Sequence, residues 1–233
     1  MKHNNSYFTR ESTAGYDEGL RIYMLSIYRN MAMALSISAL VAYEQLAMML
    51  FSTPIVYAVM LAPLIYIFFF GRNLMSMDKE QAILHLGIFA ALNGLSLGSI
   101  FLVYTAASIA KTFFITASTF GAMSLYRYST KKDLTGLGSF AYMGLIGLII
   151  ASLVNIFLRS TALDFTVSFI GVGIFTILTA WDTQKLKALY YSMNGTTAKA
   201  DNIAVYGALT LYLDFLNLFT MLLHFVGARK NDD

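Results

Sequence analysis

The feature that most constrains this chain is one carboxylate inside an apolar run. Residues 203–226, IAVYGALTLYLDFLNLFTMLLHFV, are long enough to cross a bilayer as a helix, which takes about 20 residues. Asp214 stands near the middle of that run. An aspartate at mid-membrane costs roughly 3 kcal/mol on insertion scales, so it needs a partner, a proton or water. The polar residues around it are not scattered. Gly207, Thr210, Asp214, Asn217, Met221 and His224 follow one another at steps of 3 or 4, which places them on one helix face. Leu, Phe, Val, Ala and Tyr fill the other faces. The spacing predicts a spanning helix with one polar seam, turned toward protein or water rather than lipid.

Composition extends this reading to the whole chain. Of its 233 residues, 58% are hydrophobic and 12% charged, against a charged share of about 25% in soluble domains. The fold class expected is all-α, a polytopic membrane protein in the lipid bilayer. With only two prolines, most spans should be continuous helices. A formal charge of +3 invites a nucleic-acid reading. Basic residues gathered in cytoplasmic loops produce the same balance, so no nucleic-acid partner is expected. The absence of cysteine excludes disulfides and thiolate metal sites. The lead MKHNNSYFTRESTAGYDEG is polar without an apolar core, so no cleavable signal peptide is expected.

Seven spans are expected within a single membrane domain, at about 30–43, 54–70, 83–104, 111–126, 135–158, 165–182 and 203–226. Residues 1–20 form a polar lead, and 20–28 suit an interfacial helix. Twelve of the sixteen lysines and arginines fall on one set of loop ends. By the positive-inside rule that side is cytoplasmic, which puts the N-terminus inside and the C-terminus outside. No internal repeat is visible, which argues against a transporter built from inverted repeats. Small residues recur in the spans, among them Ala34 and Ser36, Asn93, Gly94 and Ser96, and Ser118 and Gly121. They are read as close helix packing in lipid.

Asp214 is the leading functional candidate, because Asn or Ser would serve packing at lower cost. Asp182, at the end of the sixth span, is the second. An interfacial carboxylate beside Lys185 and Lys187 is the alternative reading. The span boundaries place Asp182 near the cytoplasmic surface and Asp214 near mid-depth. The two meet only if the sixth helix sits deeper or the bundle opens a cytoplasmic vestibule. If they meet, they share a proton and titrate as a unit. Ionised, they offer oxygen ligands to a hard cation such as Ca²⁺. Arg72 reads first as a positive-inside anchor and second as a salt-bridge latch onto Asp182. His85 and His224 read as packed or interfacial, and Glu44 as an outer-surface residue. No metal-site spacing, Ser-His-Asp set or phosphate-binding loop appears, so neither a cofactor nor an enzymatic activity is expected.

FGAMSLYRYSTKKDLTGLGSF (120–140), AWDTQKLK (180–187) and GALTLYLDFLNLF (207–219) together resemble the Bax inhibitor-1, or transmembrane Bax inhibitor motif, family. The lead GYDEGLRIYMLSIYRNMAMALSISALVAY (15–43) is similar to its bacterial YccA-like branch. Trp181 departs from the family's frequent Tyr before the Asp, and Arg127 from its common Gly. The resemblance implies a seven-helix bundle with the C-terminal helix at its centre. It implies a proton-sharing aspartate pair on helices six and seven, here Asp182 and Asp214, latched by an arginine of helix two, here Arg72. It further implies a pH-sensitive Ca²⁺ leak in a bacterial inner membrane, with Ca²⁺ held only transiently by Asp182 and Asp214.

Three other functions compete with this reading. Some bacterial relatives are reported to modulate a membrane-anchored ATP-dependent protease, which would make the polar lead a contact segment. An intramembrane aspartyl protease would use two aspartates on successive helices. Trp181-Asp182 and Leu213-Asp214 lack the Y-D and G-x-G-D pattern such enzymes show. A retinal-type receptor fails because no lysine lies within 203–226 to form a Schiff base.

Overall fold

A computed structural model describes residues 5–42, 48–49, 52–71, 73–129, 133–192 and 197–230. Among the described residues the long helices are α1 (Asn5–Val41), α2 (Ile55–Phe70), α3 (Lys79–Leu97), α4 (Ala106–Ser129), α5 (Thr135–Leu158), α6 (Thr161–Ser192) and α7 (Thr197–Val226). A helical turn, Ile100–Val103, prolongs α3, and a 3₁₀ turn, Leu74–Ser76, precedes it. Among the described residues there is no strand beyond an isolated bridge between Tyr104 and Arg229.

Among the described residues, five stretches are long and apolar enough to cross a membrane: Glu18–Val41, Lys79–Val103, Thr135–Leu158, Thr161–Ser192 and Ile203–Val226. The apolar part of α2, Val56–Phe70, is shorter and contains Pro63. In α4 the serines, threonines and Lys111 dilute the apolar content. Two of those threonines, Thr112 and Thr116, are buried in the bundle. The bundle's outer surface is studded with large apolar side chains, including Leu40, Phe69, Phe114 and Phe157. An apolar surface of that extent needs lipid around it.

α1 differs from the expected division into interfacial helix and short span. It runs through both segments without a break, since neither Gly nor Pro interrupts residues 20–41 after Gly19. α6 likewise does not end at residue 182 but continues to Ser192. Glu44 and Arg72 lie outside the described residues.

α7 packs against α1, α3, α4 and α6. One core gathers Ile27 and Met31 of α1, Leu86 and Phe89 of α3, Phe120 of α4, and Leu211, Tyr212 and Phe215 of α7. A second joins Ala141 and Leu148 of α5, Phe175 and Leu178 of α6, and Leu218 and Leu222 of α7. Lipid supplies little hydrophobic drive between helices, so close approach and polar contacts across helices carry the assembly. The clearest polar node joins three helices. Ser38 Oγ of α1 lies 2.7 Å from the carbonyl oxygen of Ala90 in α3 and 2.7 Å from the Tyr212 hydroxyl of α7. With Ser38 donating to Ala90, Tyr212 donates to Ser38.

Beside that node Gly94 brings α3 against α1. A Cβ there would stand 2.6 Å from the Ser38 carbonyl oxygen and 3.0 Å from Val41 Cβ. The small-residue reading therefore holds at Gly94. At Gly121 a Cβ would meet nothing within 4 Å, so that glycine is not a packing contact. At one end of the bundle the C-terminal segment is tied to the α3–α4 connection. Lys230 N–H donates to Val103 O at 2.9 Å, and Ala228 N–H to Ser108 Oγ at 2.9 Å.

Gly94→Ala should destabilise the bundle by roughly 1–3 kcal/mol, because the clash is with backbone. Gly147→Ala, whose Cβ enters open space, should leave stability within about 0.5 kcal/mol of the parent or raise it. Thermal unfolding of the two variants in one detergent measures the difference.

Candidate functional site

α6 and α7 are antiparallel neighbours, and the face each turns to the other carries the two aspartates. Asp182 is 8% exposed and Asp214 7%. Their carboxyl groups are within hydrogen-bonding reach of each other. A hydrogen bond between two carboxyls requires one of them to hold a proton. Asp214 Oδ2 is buried with no hydrogen-bond partner among the described residues. The two carboxyls are thus neighbours in the interior, between α6 and α7.

The setting of Asp182 follows from the local sequence W-D-T-Q-K. Thr179 and Thr183 flank it and are fully buried. Each hydroxyl donates at 2.8 Å to a carbonyl one turn back, Phe175 O and Thr179 O respectively. Those hydroxyls are thus occupied by their own helix. Lys185, one turn further along α6, places Nζ 3.8 Å from Asp182 Oδ1 and 4.9 Å from the centre of the Trp181 ring. The ammonium is held between a carboxylate and an aromatic face, two surfaces that each attract it. Trp181 in turn packs on α5 where Gly138 offers no side chain. A Cβ at Gly138 would fall 2.2 Å from the indole.

A cleft of about 420 Å³ runs between α6 and α7. Asp182, Lys185, Leu189 and Ser192 line it from α6, and Tyr206 and Thr210 from α7. Helix six extends ten residues past Asp182, and the cleft reaches that residue.

The polar seam of α7 divides at Asp214. On one side Thr210 lines the cleft, its hydroxyl donating to Tyr206 O at 3.1 Å, and Gly207 is buried against Ile27 and Leu186. On the other side Asn217 and His224 are exposed on the surface of the chain, and Met221 packs on Gly171 of α6. His224 stacks on Tyr104 and has Nδ1 4.0 Å from Asp164 Oδ1. It is not near the aspartate pair. His85 bonds the Tyr66 hydroxyl at 2.5 Å and stacks on Phe70. Among the described residues no group of three or more His, Asp or Glu converges on a point.

Gln184 belongs to the AWDTQKLK segment. The structure gives it a specific position. Its amide donates to Asp133 Oδ1 at 3.0 Å and accepts the Leu134 N–H at 2.9 Å, which docks the start of α5 onto α6 two residues past Asp182. Asp133 Oδ1 also accepts from the Thr135 hydroxyl at 2.6 Å and its N–H at 2.9 Å. No spacing rule could have paired residues 133 and 184 across two helices. The signal was a polar Gln following D-T inside a membrane helix.

The family model described as Inhibitor of apoptosis-promoting Bax1 matches residues 20–231. The chain belongs to the Bax inhibitor-1 family. Members of the family similar to it over nearly their full length come from distant bacteria. An uncharacterized protein of Rickettsia prowazekii is 45% identical, with 96% of each chain covered. Inner membrane protein YbhL of Escherichia coli K12 is 43% identical, over 91% of this chain and 94% of YbhL. An uncharacterized membrane protein of Streptococcus pyogenes is 34% identical, over 93% and 96%. This Bax inhibitor-1 family chain is a membrane protein with several helical spans.

The Asp133 bonds make a pH prediction outside the spans. The Thr135 hydroxyl, the Gln184 amide and the Thr135 N–H hold the Asp133 carboxyl down to about 2, below the ordinary value of about 4. A depressed value means the stabilisation is complete above the ordinary value and is lost as pH falls through about 2. Asp133→Ala should therefore melt below the parent near neutral pH. The gap between the two melting temperatures should close as pH is lowered toward about 2.

Proposed function

We infer that this protein is a proton-responsive cation leak, with Ca²⁺ as the ion, in a bacterial inner membrane. The observation that carries the reading is the meeting of Asp182 and Asp214, two carboxyls from successive helices, in the protein interior. A proton shared between them would make the interior neutral enough to stay closed. Losing it would leave like charges in contact, which separate or take up a cation. Two carboxylates fall well short of the six to eight oxygens of a resident Ca²⁺ site, which suits transit rather than storage. The cleft reaching Asp182 from one end, and exposed Asn217 and His224 along the seam toward the other, support a route through the pair.

The reading includes all seven helices as spans, α7 at the centre, the N-terminus cytoplasmic and the C-terminus outside. The loop-charge bias supports the orientation. The name of the Escherichia coli relative supports the inner membrane. Arg72 is the proposed latch. The flanking turn Leu74–Ser76 packs on α7, which favours an arginine from this connection acting on the pair. The activity proposed is a gate and not an enzyme.

Flux of Ca²⁺ into liposomes decides the matter. The parent should show flux that changes several-fold across about pH 5 to 8, as a shared-proton pair requires. Asp182→Asn and Asp214→Asn should each flatten that profile. A parent flux equal to that of empty liposomes at every pH sinks the reading.

A further inference from the structure

The cleft between α6 and α7 is lined by Asp182 and not by Asp214, so a cation arriving through it meets Asp182 first. It meets Lys185 at the same point. The ammonium stands 3.8 Å from Asp182 Oδ1 and 4.9 Å from the centre of the Trp181 ring. Its charge acts on both carboxyls of the pair. The remaining lining residues, among them Leu189, Ser192, Tyr206 and Thr210, carry no formal charge.

Two features set this lysine apart from an ordinary surface partner. The ion pair is unequal: the Lys185 side chain is 56% exposed and that of Asp182 12%. The ammonium therefore covers a carboxyl that has little water of its own. The contact is also loose. At 3.8 Å it is longer than a hydrogen bond, and an ammonium so exposed leaves its partner at little cost. The Trp181 face attracts it from the other side, and the indole is itself packed over Gly138. Lys185 is thus held at Asp182 by charge alone and stays displaceable.

We propose that Lys185 is a tethered counter-cation that makes the approach to Asp182 selective for divalent over monovalent cations. The inference rests on the reading of the aspartate pair as a cation site. A lysine one turn from the carboxylate competes for it at an effective concentration on the order of millimolar, whatever ions are in the bulk. Exchanging the ammonium for K⁺ leaves the charge facing the pair unchanged and gives up the tether. Exchanging it for Ca²⁺ adds one positive charge against two carboxyls, and the attraction grows with that charge. The displaced ammonium moves into the solvent that already reaches it. Lys185 acts through Asp182 as a selectivity-determining residue and is not a ligand.

Trp181 is the only tryptophan of the chain and is the neighbour of Asp182 in sequence. Quenching of its emission by Mn²⁺, a cation with the same preference for oxygen ligands as Ca²⁺, reads occupancy of the site without any flux. The full chain in detergent is titrated at alkaline pH, where the shared proton is lost. One series is run in K⁺ and one in N-methylglucamine of equal ionic strength. In the parent the two half-quenching concentrations should agree within about twofold, the small scale of a screened surface effect. Lys185→Gln should lower the value in N-methylglucamine and widen the gap to K⁺, each by about two- to fivefold, the scale of a half-exposed ion pair. Lys185→Met, with the stem but no charge, should match Lys185→Gln, and Lys185→Arg should match the parent. Asp182→Asn should remove saturable quenching. A Lys185→Gln titration equal to the parent's, or a Lys185→Arg titration equal to that of Lys185→Gln, overturns the proposal and leaves the leak reading to the liposome flux. Quenching that survives Asp182→Asn, or that saturates in no variant, overturns the cation site and the proposal with it.

Discussion

A carboxyl group in the interior of a membrane protein cannot be left as an isolated anion. Its solvation is gone, and the low dielectric magnifies any unbalanced charge. In this chain Asp214 meets the constraint through Asp182 on the preceding helix. The solution places a demand on the rest of the bundle. α6 and α7 must hold their register closely enough for two short side chains to reach each other. The second core on Phe175, Leu178 and Leu218 serves that end, as does the seat of Met221 on Gly171.

The other helices position the pair indirectly. α5 is pinned to α6 beside Asp182 by Gln184 and by the indole lying over Gly138. α1 and α3 are pinned to α7 through Ser38, Ala90 and Tyr212. Tyr212 stands two residues before Asp214 and Phe215 one after, so α7 contacts its neighbours on both sides of the carboxylate. The Lys185 ammonium stands at the cleft, 3.8 Å from Asp182 Oδ1. It stays half in solvent, where an ion pair contributes little to stability. Its place is electrostatic rather than structural.

Much of this was legible in the residues. The steps of 3 and 4 from Gly207 to His224 mark one face of α7, and Asp214 is buried on it. Hydropathy marks the helical runs because an unbroken apolar stretch has few other ways to satisfy its backbone in lipid. The same spacing overstated the seam's uniformity. Asn217 lies on it and is exposed, since helical period says which residues share a face but not how far a neighbouring helix covers it. Likewise Gly94 and Gly121 look alike in sequence, and only one touches another helix.

The sequence by itself determined that the chain is helical, membrane-bound and a member of its family, and that Asp182 and Asp214 were the carboxylates to watch. These are local matters: hydropathy, period and motif are written along the chain. Only the tertiary structure decided that the two carboxyls meet, that a cleft reaches one of them, and that Gln184 joins α5 to α6. Each of these depends on contacts between helices distant in the chain, set by side-chain volumes at close approach, and no one-dimensional period encodes them.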